Sequence, residues 1–334
     1  MQFPRDHGSH PDFSTEWWYV TGWAQADQRL VGFQITFFRS RVDAAQQMTS
    51  RFAAKQLLFA HAAVTDVQAA RSWHDQRIAR SGFGVAQASE VDTNVQLRDW
   101  SLSRSADGVY QTRIDAEGFA LDLRFDATQP VLLQGQQGIS RKGPAPDNIS
   151  HYYSQPQLAV SGRIRIGAQP VLELAPSNGS LKQAAAWLDR EWSNGYLHPD
   201  ATGWDWIGMN FDDGGALMAF RIRDRAGNAF WDGGAYRSAG GVLQVFEHGQ
   251  TQWRALRRWT SAASRAVYPV AWALDTPIGA FRIEARVDNQ ELDSSRSTGA
   301  IYWEGLCDLN AAADGMRVGR GYLEMTGYAG ALHI

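Results

Sequence analysis

Apolar and polar residues alternate with a period of two along most of this chain, and this alternation restricts the chain to β-structure. In "FALDLRFD" (residues 119–126) and "FRIEARVD" (residues 281–288) every second residue is apolar. Because successive side chains of a strand point to opposite faces, the pattern predicts strands with one buried face. The same alternation marks Val95–Ser103, Leu158–Ile166 and Leu217–Asp224.

Short turn signals separate these segments, namely Asp107-Gly108, Asp213-Gly214-Gly215 and Ala226-Gly227-Asn228. Strands with one apolar face and short connections are typical of antiparallel sandwiches and barrels. Two segments, Asp43–Gln56 and Ser72–Arg80, are the candidates for helices. We expect both to decorate a β framework.

The composition narrows the class of protein. A length of 334 residues suggests two domains, and a 44% hydrophobic share is enough for packed cores. The net charge of −3 gives no reason to expect nucleic acid or an anionic membrane as a partner. No apolar run approaches the ~18 residues of a membrane span. The single cysteine, Cys307, excludes intramolecular disulfides.

The two halves of the chain repeat a pattern. "HPDFSTEWWYVTGWAQADQRLVGFQI" in the first half is echoed by "HPDATGWDWIGMNFDDGGALMAFRI" in the second. An offset of 186 residues aligns Trp18 with Trp204 and Asp27 with Asp213. Chance similarity between two hairpins remains the alternative, but duplication explains more of the match. We therefore predict two domains, residues 1–178 and 179–334, divided near the turn-rich Leu174–Leu181.

The stretch Glu16-Trp17-Trp18-Tyr19 departs from the alternation by placing large aromatic residues on both faces of one strand. If that strand belongs to a barrel, one face lines a cavity and the other is covered by a second domain. Trp17 and Trp18 would then serve different compartments. The chain has 14 tryptophans, which could fill cores or line a pocket for a hydrophobic ligand.

Several long motifs resemble the AttH-like branch of the carotenoid hydratase (hydroxyneurosporene synthase) superfamily: "FPRDHGSHPDFSTEWWYVTG", "HYYSQPQLAVSG", "AAAWLDREW", "GWDWIGMNFDDGGALMAFRIR", "YPVAWALDTP" and "GRGYLEMTGY". The resemblance runs from Phe3 to Tyr328. It implies an all-β fold of two tandem lipocalin-like (calycin-type) antiparallel β-barrel domains with minor helical decoration. It also implies a hydrophobic ligand and a link to lipid or isoprenoid metabolism. Members are often exported and encoded beside ABC transporter components, which would suit a periplasmic or cell-envelope protein whose leader has been removed.

Two positions differ from the hydratase branch that the chain resembles. That branch carries His-x-Trp after the aspartate in the motif that matches "WLDREW", and here Arg190 replaces the histidine. It also carries Tyr-x-Asp on the strand that matches "ALMAFRIR", which here has neither a phenol nor a carboxylate. The fold is therefore expected to transfer, whereas the reaction is open.

Carboxylates beside aromatic residues are the candidates for chemistry. Hydrating an alkene needs an acid strong enough to protonate it, and burial raises the pKa of a carboxyl group towards that role. Aromatic faces stabilise the cation that forms. The candidate catalytic residues are Asp189, Glu191, Trp192, Asp205, Glu304 and Glu324. The candidate ligand-binding residues are Glu16, Trp17, Trp18, Tyr19, Trp204, Trp206, Tyr302 and Trp303.

Other roles remain open for these residues. Barrel interiors often contain Arg–carboxylate pairs, and Arg190 with Asp205 or Glu304 would be one. His7, His10 and Asp12 could suggest a metal, but they lie on a terminal loop, so we expect none and no cofactor. His61 is expected to be a hydrogen-bonded core histidine.

Three functions are compatible with the sequence. The first is a binding or carrier protein for a lipid or isoprenoid-like molecule, which the departures from the hydratase motif favour. The second is a hydratase that adds water to an isoprenoid double bond by carboxylic-acid catalysis. The third is a scaffold whose barrels are filled by their own side chains.

Overall fold

The alternating segments form strands, and the predicted all-β architecture of two barrels is confirmed. The computed structural model describes residues 1–26, 28–175, 183–195 and 197–330. Helix within these ranges is confined to two short 3-10 segments, Arg5–His7 and Asp43–Ala45. No helix in the described ranges is long and apolar enough to cross a membrane.

The first sheet contains β1 (Thr15–Ala26), β2 (Arg29–Arg41), β3 (Gln56–Asp66), β4 (Arg71–Arg80), β5 (Ala86–Ala88), β6 (Asn94–Leu97), β7 (Trp100–Arg104), β8 (Tyr110–Ala116), β9 (Phe119–Asp126), β10 (Leu132–Leu133), β11 (Ile139–Arg141), β12 (Ile149–Ile166), β13 (Leu172–Leu174) and β14 (Ala184–Ser193). The second contains β15 (Ala201–Phe211), β16 (Ala216–Asp224), β17 (Ala229–Arg237), β18 (Leu243–Phe246), β19 (Gln252–Thr260), β20 (Val267–Thr276), β21 (Gly279–Ala285), β22 (Glu291–Ser294), β23 (Ala300–Ala311) and β24 (Arg317–Met325).

The two sheets follow equivalent orders over nine strands, after which the first sheet continues with β6 and β5. The first runs β4-β3-β2-β1-β14-β12-β9-β8-β7-β6-β5, and the second runs β18-β17-β16-β15-β24-β23-β21-β20-β19. In each sheet the first long strand pairs both with the strand that follows it and with the last strand of the sheet. This correspondence makes β1 equivalent to β15 and β14 equivalent to β24.

The offset of 186 residues does not match this correspondence. Trp18 and Trp204 lie on equivalent strands but on opposite faces, because Trp18 packs inside the first barrel whereas Trp204 packs between the barrels. Pairing instead aligns Glu16 with Asp205, since each is paired in register with an arginine of the next strand, Arg39 or Arg221. The offset that follows from this pairing is 189 (205 − 16). With it, residues whose side chains point to the same face of their barrels are aligned. The even offset of 186 differs from it by an odd number and therefore aligns opposite faces, because side-chain direction has a period of two.

Two local expectations need correction. Val95–Ser103 is a hairpin of β6 and β7 rather than one strand, since the chain turns at Arg98, whose φ is 57°. Ser72–Arg80 belongs to strand β4 rather than a helix, and in Asp43–Gln56 only the first three residues are helical. Ser72–Arg80 is a strand because it is paired with β3, and all ten residues of β4 take part in this pairing.

Three large apolar cores form among the described residues, beside a small cluster of Ala63, Leu292 and Tyr302. One fills the first barrel with residues such as Trp18, Phe33, Phe37 and Tyr153. A second fills the other barrel around Trp272 and Trp303. The third lies between the barrels and joins the outer faces of β1 and β14 to those of β15, β16 and β24.

The chain leaves the first sheet at Ser193 and enters the second at Ala201. The predicted domain limit between residues 178 and 179 lies outside the described residues, and so does Asp27. A division that follows the sheets would fall after β14, because β14 pairs with β1 and β12. The division into two domains itself stays a prediction.

Candidate functional site

A cavity lies between the two barrels rather than inside either one. About 110 Å³ of it is open to the centres of water-sized spheres. One water needs about 10–15 Å³ on this measure, so the space exceeds that of a single water several-fold. Its walls come from the outer faces of strands β1, β2, β3, β12 and β14 and, opposite them, β15, β16, β23 and β24. We call this space the inter-barrel cavity.

The first barrel contributes one register row to this wall: Phe38, Trp17, Glu191 and Tyr152, on β2, β1, β14 and β12. We call it the first-sheet row. Glu191 accepts a hydrogen bond from the Ser150 hydroxyl and lies 3.0 Å from Lys142 Nζ. The Lys142 ammonium also lies 4.8 Å from the centre of the Tyr152 ring. The carboxylate of this row therefore has a cation beside it.

The second barrel contributes a matching row: Phe220, Trp206, Glu324 and Glu304, on β16, β15, β24 and β23. We call it the second-sheet row. Each member occupies the position equivalent to its counterpart in the first-sheet row. Glu191 and Glu324 correspond, and Tyr152 corresponds to Glu304. The repeated fold thus lines one cavity with two versions of the same row.

The two rows differ in their electrostatics. Within the described residues no ion pair joins Glu304 or Glu324 to a basic side chain. Burial, together with the charge of Glu324, raises the pKa of Glu304 well above its usual range. Burial, with further repulsion from Asp189 and Glu191, raises the pKa of Glu324 to about 7. The second-sheet row therefore holds carboxyl groups that keep protons near neutral pH.

Asp189 links the two walls. Burial raises its pKa to about 7, although hydrogen bonds to the carboxylate oppose the rise. Its oxygens accept from the Tyr152 hydroxyl at 2.6 Å, the Ser154 hydroxyl at 2.5 Å and Trp187 Nε1 at 2.7 Å. The Tyr152 oxygen accepts in turn from Trp206 Nε1 at 3.0 Å. A chain of hydrogen bonds thus runs from Trp206 of one barrel to Asp189 of the other.

His61 lies at a second polar region of the cavity. Its Nδ1 lies 2.9 Å from the Tyr302 hydroxyl and its Nε2 lies 2.9 Å from Ser297 Oγ. Burial lowers its pKa to about 3, so the imidazole is neutral and hydrogen-bonded. This placement on β3 agrees with the expectation from sequence, and it adds contact with the cavity.

Nine of the candidate residues line the inter-barrel cavity: Trp17, Tyr19, Asp189, Glu191, Trp204, Trp206, Tyr302, Glu304 and Glu324. The other five, Glu16, Trp18, Trp192, Asp205 and Trp303, lie elsewhere. Each of the five occupies a strand position of opposite parity, so its side chain points into a barrel rather than into the cavity. Of the six candidate catalytic residues, Trp192 and Asp205 are therefore separated from the four carboxylates that reach the cavity.

Glu16 belongs to a buried ion cluster in the first barrel. Its carboxylate accepts from Arg39, Arg190 and the Ser9 hydroxyl. Burial alone would raise the pKa of Glu16, but the two guanidinium groups and His10 hold it well below its usual range. Arg190 therefore pairs with Glu16, not with Asp205 or Glu304 as anticipated.

The remaining four residues have structural partners. Trp18 donates from Nε1 to the His7 carbonyl at 3.1 Å, and Trp192 stacks on His10 with ring centres 3.8 Å apart. Asp205 accepts from Arg221 at 2.7 Å and from the Tyr328 hydroxyl at 2.9 Å. Trp303 donates to the Asp288 carbonyl at 2.7 Å.

The candidate metal ligands have other partners too. His7 Nδ1 lies 2.6 Å from the Tyr153 hydroxyl, and His10 Nε2 lies 3.1 Å from Asp6. No group of three metal-ligating side chains is found among the described residues.

Sequence reasoning missed Lys142 and Tyr152, which line the cavity, and Ser154 and Trp187, which donate hydrogen bonds to Asp189. Tyr152 and Ser154 lie in the motif "HYYSQPQLAVSG", two residues apart, and so share a face of β12. That spacing was the available signal. Lys142 precedes β12 in a loop, and no periodic pattern marks it.

Comparisons with known proteins place the chain in a family. A sequence model of the AttH-like family matches residues 1–328. The crystal structure of an AttH from Nitrosomonas europaea has a TM-score of 0.88 and 45% identity and covers 98% of this chain and 97% of its own. Kievitone hydratase of Fusarium solani subsp. phaseoli is 24% identical over 251 residues, which are 73% of this chain and 68% of that protein.

A fungal structure extends the likeness of fold. Kievitone hydratase from Nectria haematococca has a TM-score of 0.76 at 14% identity and covers 98% of this chain and 93% of its own. At that identity the likeness concerns the fold alone. With its family model matched over nearly the full sequence, the chain belongs to the AttH-like family.

Proposed function

We propose that this protein is a hydro-lyase that adds water to a carbon–carbon double bond of a hydrophobic, isoprenoid-like molecule held in the inter-barrel cavity. One observation carries the proposal: two neighbouring carboxyl groups, Glu304 and Glu324, lie in the aromatic wall of the cavity without a basic partner among the described residues. Burial there raises the pKa of both groups. A site that only bound an apolar ligand would gain nothing from them, because burying unpaired carboxyl groups is unfavourable. The likeness to kievitone hydratase supports the same class of reaction.

The chemistry divides between the two rows. The carboxyl pair of the second-sheet row donates a proton to one alkene carbon, and the π electrons form the new C–H bond. The other carbon becomes positive and is stabilised by the faces of Trp17 and Trp206. A water oxygen bonds to that carbon, and the proton lost from the water passes to Glu191. Exchange with solvent then removes this proton from Glu191 and returns one to the second-sheet pair, which restores the starting state. The product is an alcohol, and the reverse sequence is dehydration.

Asp189 acts through its neighbours in this scheme. It fixes the Tyr152 phenol, which is also held by Trp206, and so it orients a wall of the cavity from both barrels. Asp189 is thus a positioning residue in the proposal, whereas Glu324, Glu304 and Glu191 touch the reacting atoms.

The experiment uses water labelled with ¹⁸O and a panel of neutral acyclic isoprenoids, namely geraniol, farnesol and lycopene. We expect wild-type protein to yield a product that has gained one labelled water, detected by mass spectrometry. Glu324→Gln should lower turnover by at least ~100-fold, because the proton donor is lost. Binding, followed by quenching of tryptophan fluorescence, should persist. Glu90→Gln, on the surface, is the matched control.

A carrier protein is the second candidate, and the size and aromatic lining of the cavity favour it. In that case fluorescence quenching would occur without any labelled product, and Glu324→Gln would alter affinity alone. If Glu324→Gln retained full turnover, the acid role of the second-sheet row would be refuted.

A further inference from the structure

An exposed aromatic pair lies on the first barrel. Phe52 and Phe83 are 64% and 48% exposed, and their rings stack in parallel with centres 5.5 Å apart. Met48, four residues before Phe52, and Ile78, on the strand β4 that leads to Phe83, are 51% and 39% exposed. We call Met48, Phe52, Ile78 and Phe83 the apolar patch. Scattered exposed apolar residues are ordinary, but two stacked phenylalanines on adjoining loops form a contiguous surface.

The backbone at Phe83 is strained. Its φ is 60°, a left-handed conformation that bulky residues rarely adopt, and it stands between Gly82 and Gly84, whose φ values are also positive. An added Cβ on either glycine would meet nothing within 4 Å. Strain of this kind persists where the displayed side chain is useful.

The two segments that carry the patch are basic, although Asp43 and Asp75 directly precede them and pair with Arg41 and Arg77. Residues 44–55 and 76–85 include Arg51, Lys55, Arg77 and Arg80 and no acidic residue, although the whole chain has a net charge of −3. The guanidinium of Arg51 lies 5.5 Å and 5.4 Å from the ring centres of Phe52 and Phe83. Arg80 donates to the Phe52 carbonyl at 2.9 Å and so joins the two loops.

The patch continues from the wall of the inter-barrel cavity. Phe38, Phe59 and Ile78 occupy one register row across β2, β3 and β4, and the first two line the cavity. Exposure rises along that row from 7% at Phe59 to 39% at Ile78. Neighbouring strands lie about 4.8 Å apart, so the exposed end of the row is only ~10 Å from Phe38.

We propose that this face docks on an anionic lipid surface. The apolar patch enters the interface between headgroups and acyl chains, and Arg51, Lys55 and Arg80 meet the lipid phosphates. Exposed aromatic rings with adjacent basic residues match that interface, apolar below and negatively charged above. The aligned side chains Ile78, Phe59 and Phe38 on β4, β3 and β2 then lie between the lipid and the inter-barrel cavity. This inference goes beyond the proposed function and does not depend on turnover.

The test is flotation of the purified protein with two kinds of vesicle, phosphatidylcholine alone and equal parts of phosphatidylcholine and phosphatidylglycerol. We expect binding to the anionic vesicles, weakened by added salt. The double variants Phe52→Ser/Phe83→Asn and Arg51→Glu/Lys55→Glu should each bind at least roughly tenfold more weakly. The control is Val242→Ser/Met316→Ser, which removes side chains 71% and 66% exposed on the second barrel.

Melting temperature shows whether each variant is folded, and asparagine at position 83 tolerates the left-handed backbone. Equal binding of wild-type protein to both kinds of vesicle, or unchanged binding by both patch variants, would overturn the proposal. Light scattering supplies a further outcome. If wild-type protein is a dimer and Phe52→Ser/Phe83→Asn is a monomer, a second copy of the chain covers the patch and the lipid proposal is rejected.

Discussion

Glu304 and Glu324 face each other on β23 and β24, and their pKa values rise because burial removes water while neighbouring carboxylates repel negative charge. Glu191, in the equivalent position of the first-sheet row, instead lies beside Lys142. Two equivalent glutamates therefore differ in their surroundings, since among the described residues only Glu191 has a basic side chain within ion-pair distance. At the scale of residues, the acid and base roles proposed above rest on this difference in surroundings.

The raised pKa of Glu324 predicts a pH-dependent stability. Between the ordinary value of 4.5 and about 7, the folded protein keeps a proton that the unfolded chain releases, so the free energy of unfolding falls as pH rises through this window. Glu324→Gln removes that effect. From pH 5 to pH 8 we expect wild-type protein to lose about 2 kcal/mol relative to the variant, measured by urea unfolding at each pH.

Glu90→Gln serves as the control for this measurement, since Glu90 is exposed. Its stability should run parallel to that of the wild type. Parallel curves for Glu324→Gln as well would show that Glu324 has an ordinary pKa, and the acid role would then lose its main support.

Single residues were predictable in type but not in location. The concentration of carboxylates beside aromatic residues led to Asp189, Glu191, Glu304 and Glu324, all of which reach the cavity. The same rule led to Glu16, which is neutralised by two arginines inside a barrel. Proximity in sequence cannot separate these cases, because the arginine partners come from other strands.

At the scale of elements, the central strands of each barrel carry the site on one face and a packed core on the other. In β14 all ten residues are buried, with Asp189 and Glu191 towards the cavity and Arg190 and Trp192 towards the barrel. Alternation predicted this separation of faces, and it holds. The assignment of β14 to the first sheet was not predictable, since periodicity says nothing about which strands pair.

Close approach of β15 and β24 gives a prediction at this scale. A Cβ added at Gly321 would lie 1.9 Å from the Gly208 carbonyl oxygen. Gly321→Ala must therefore push apart the two strands that carry Trp206 and Glu324. We expect a loss of about 2 kcal/mol or more in the free energy of unfolding, measured with urea.

The control for this change is Gly240→Ala, where the only atom near an added Cβ is Ser238 Oγ at 3.8 Å. Its stability should stay within about 0.5 kcal/mol of the wild type. An equally small effect of Gly321→Ala would mean that β15 and β24 separate more easily than their backbone spacing indicates.

At the scale of the whole molecule, the barrels share an apolar interface as well as a cavity. Tyr19, Trp23 and Leu30 of the first pack with Trp206, Phe220 and Tyr322 of the second. Separating the barrels would expose these aromatic faces to water. The sequence predicted two similar barrels, but it suggested a ligand inside one of them. A strand face that is covered by a second barrel shows the same apolar pattern as a face that points into its own barrel, so the pattern alone cannot place the cavity.

This shared interface predicts cooperative unfolding. We expect a single transition in urea, with coincident curves from far-ultraviolet circular dichroism and tryptophan fluorescence. The reason is that unfolding of one barrel exposes the apolar surface of the other to water and so destabilises it. Two resolved transitions would show that the halves are independently stable. The inter-barrel cavity would then open whenever the weaker half unfolds.

Placing the cavity outside both barrels also affects how such a protein can change over generations. The side chains that fill each barrel point away from the cavity, so mutations in the cores can accumulate and compensate one another without altering the lining. Conversely, the lining at Glu304 or Tyr152 can be exchanged without emptying a core. The repeated fold supplies two versions of one wall, and a substitution in either version is enough to create a new asymmetry. The AttH-like fold is in this sense a scaffold whose specificity can diverge while its folding remains the same.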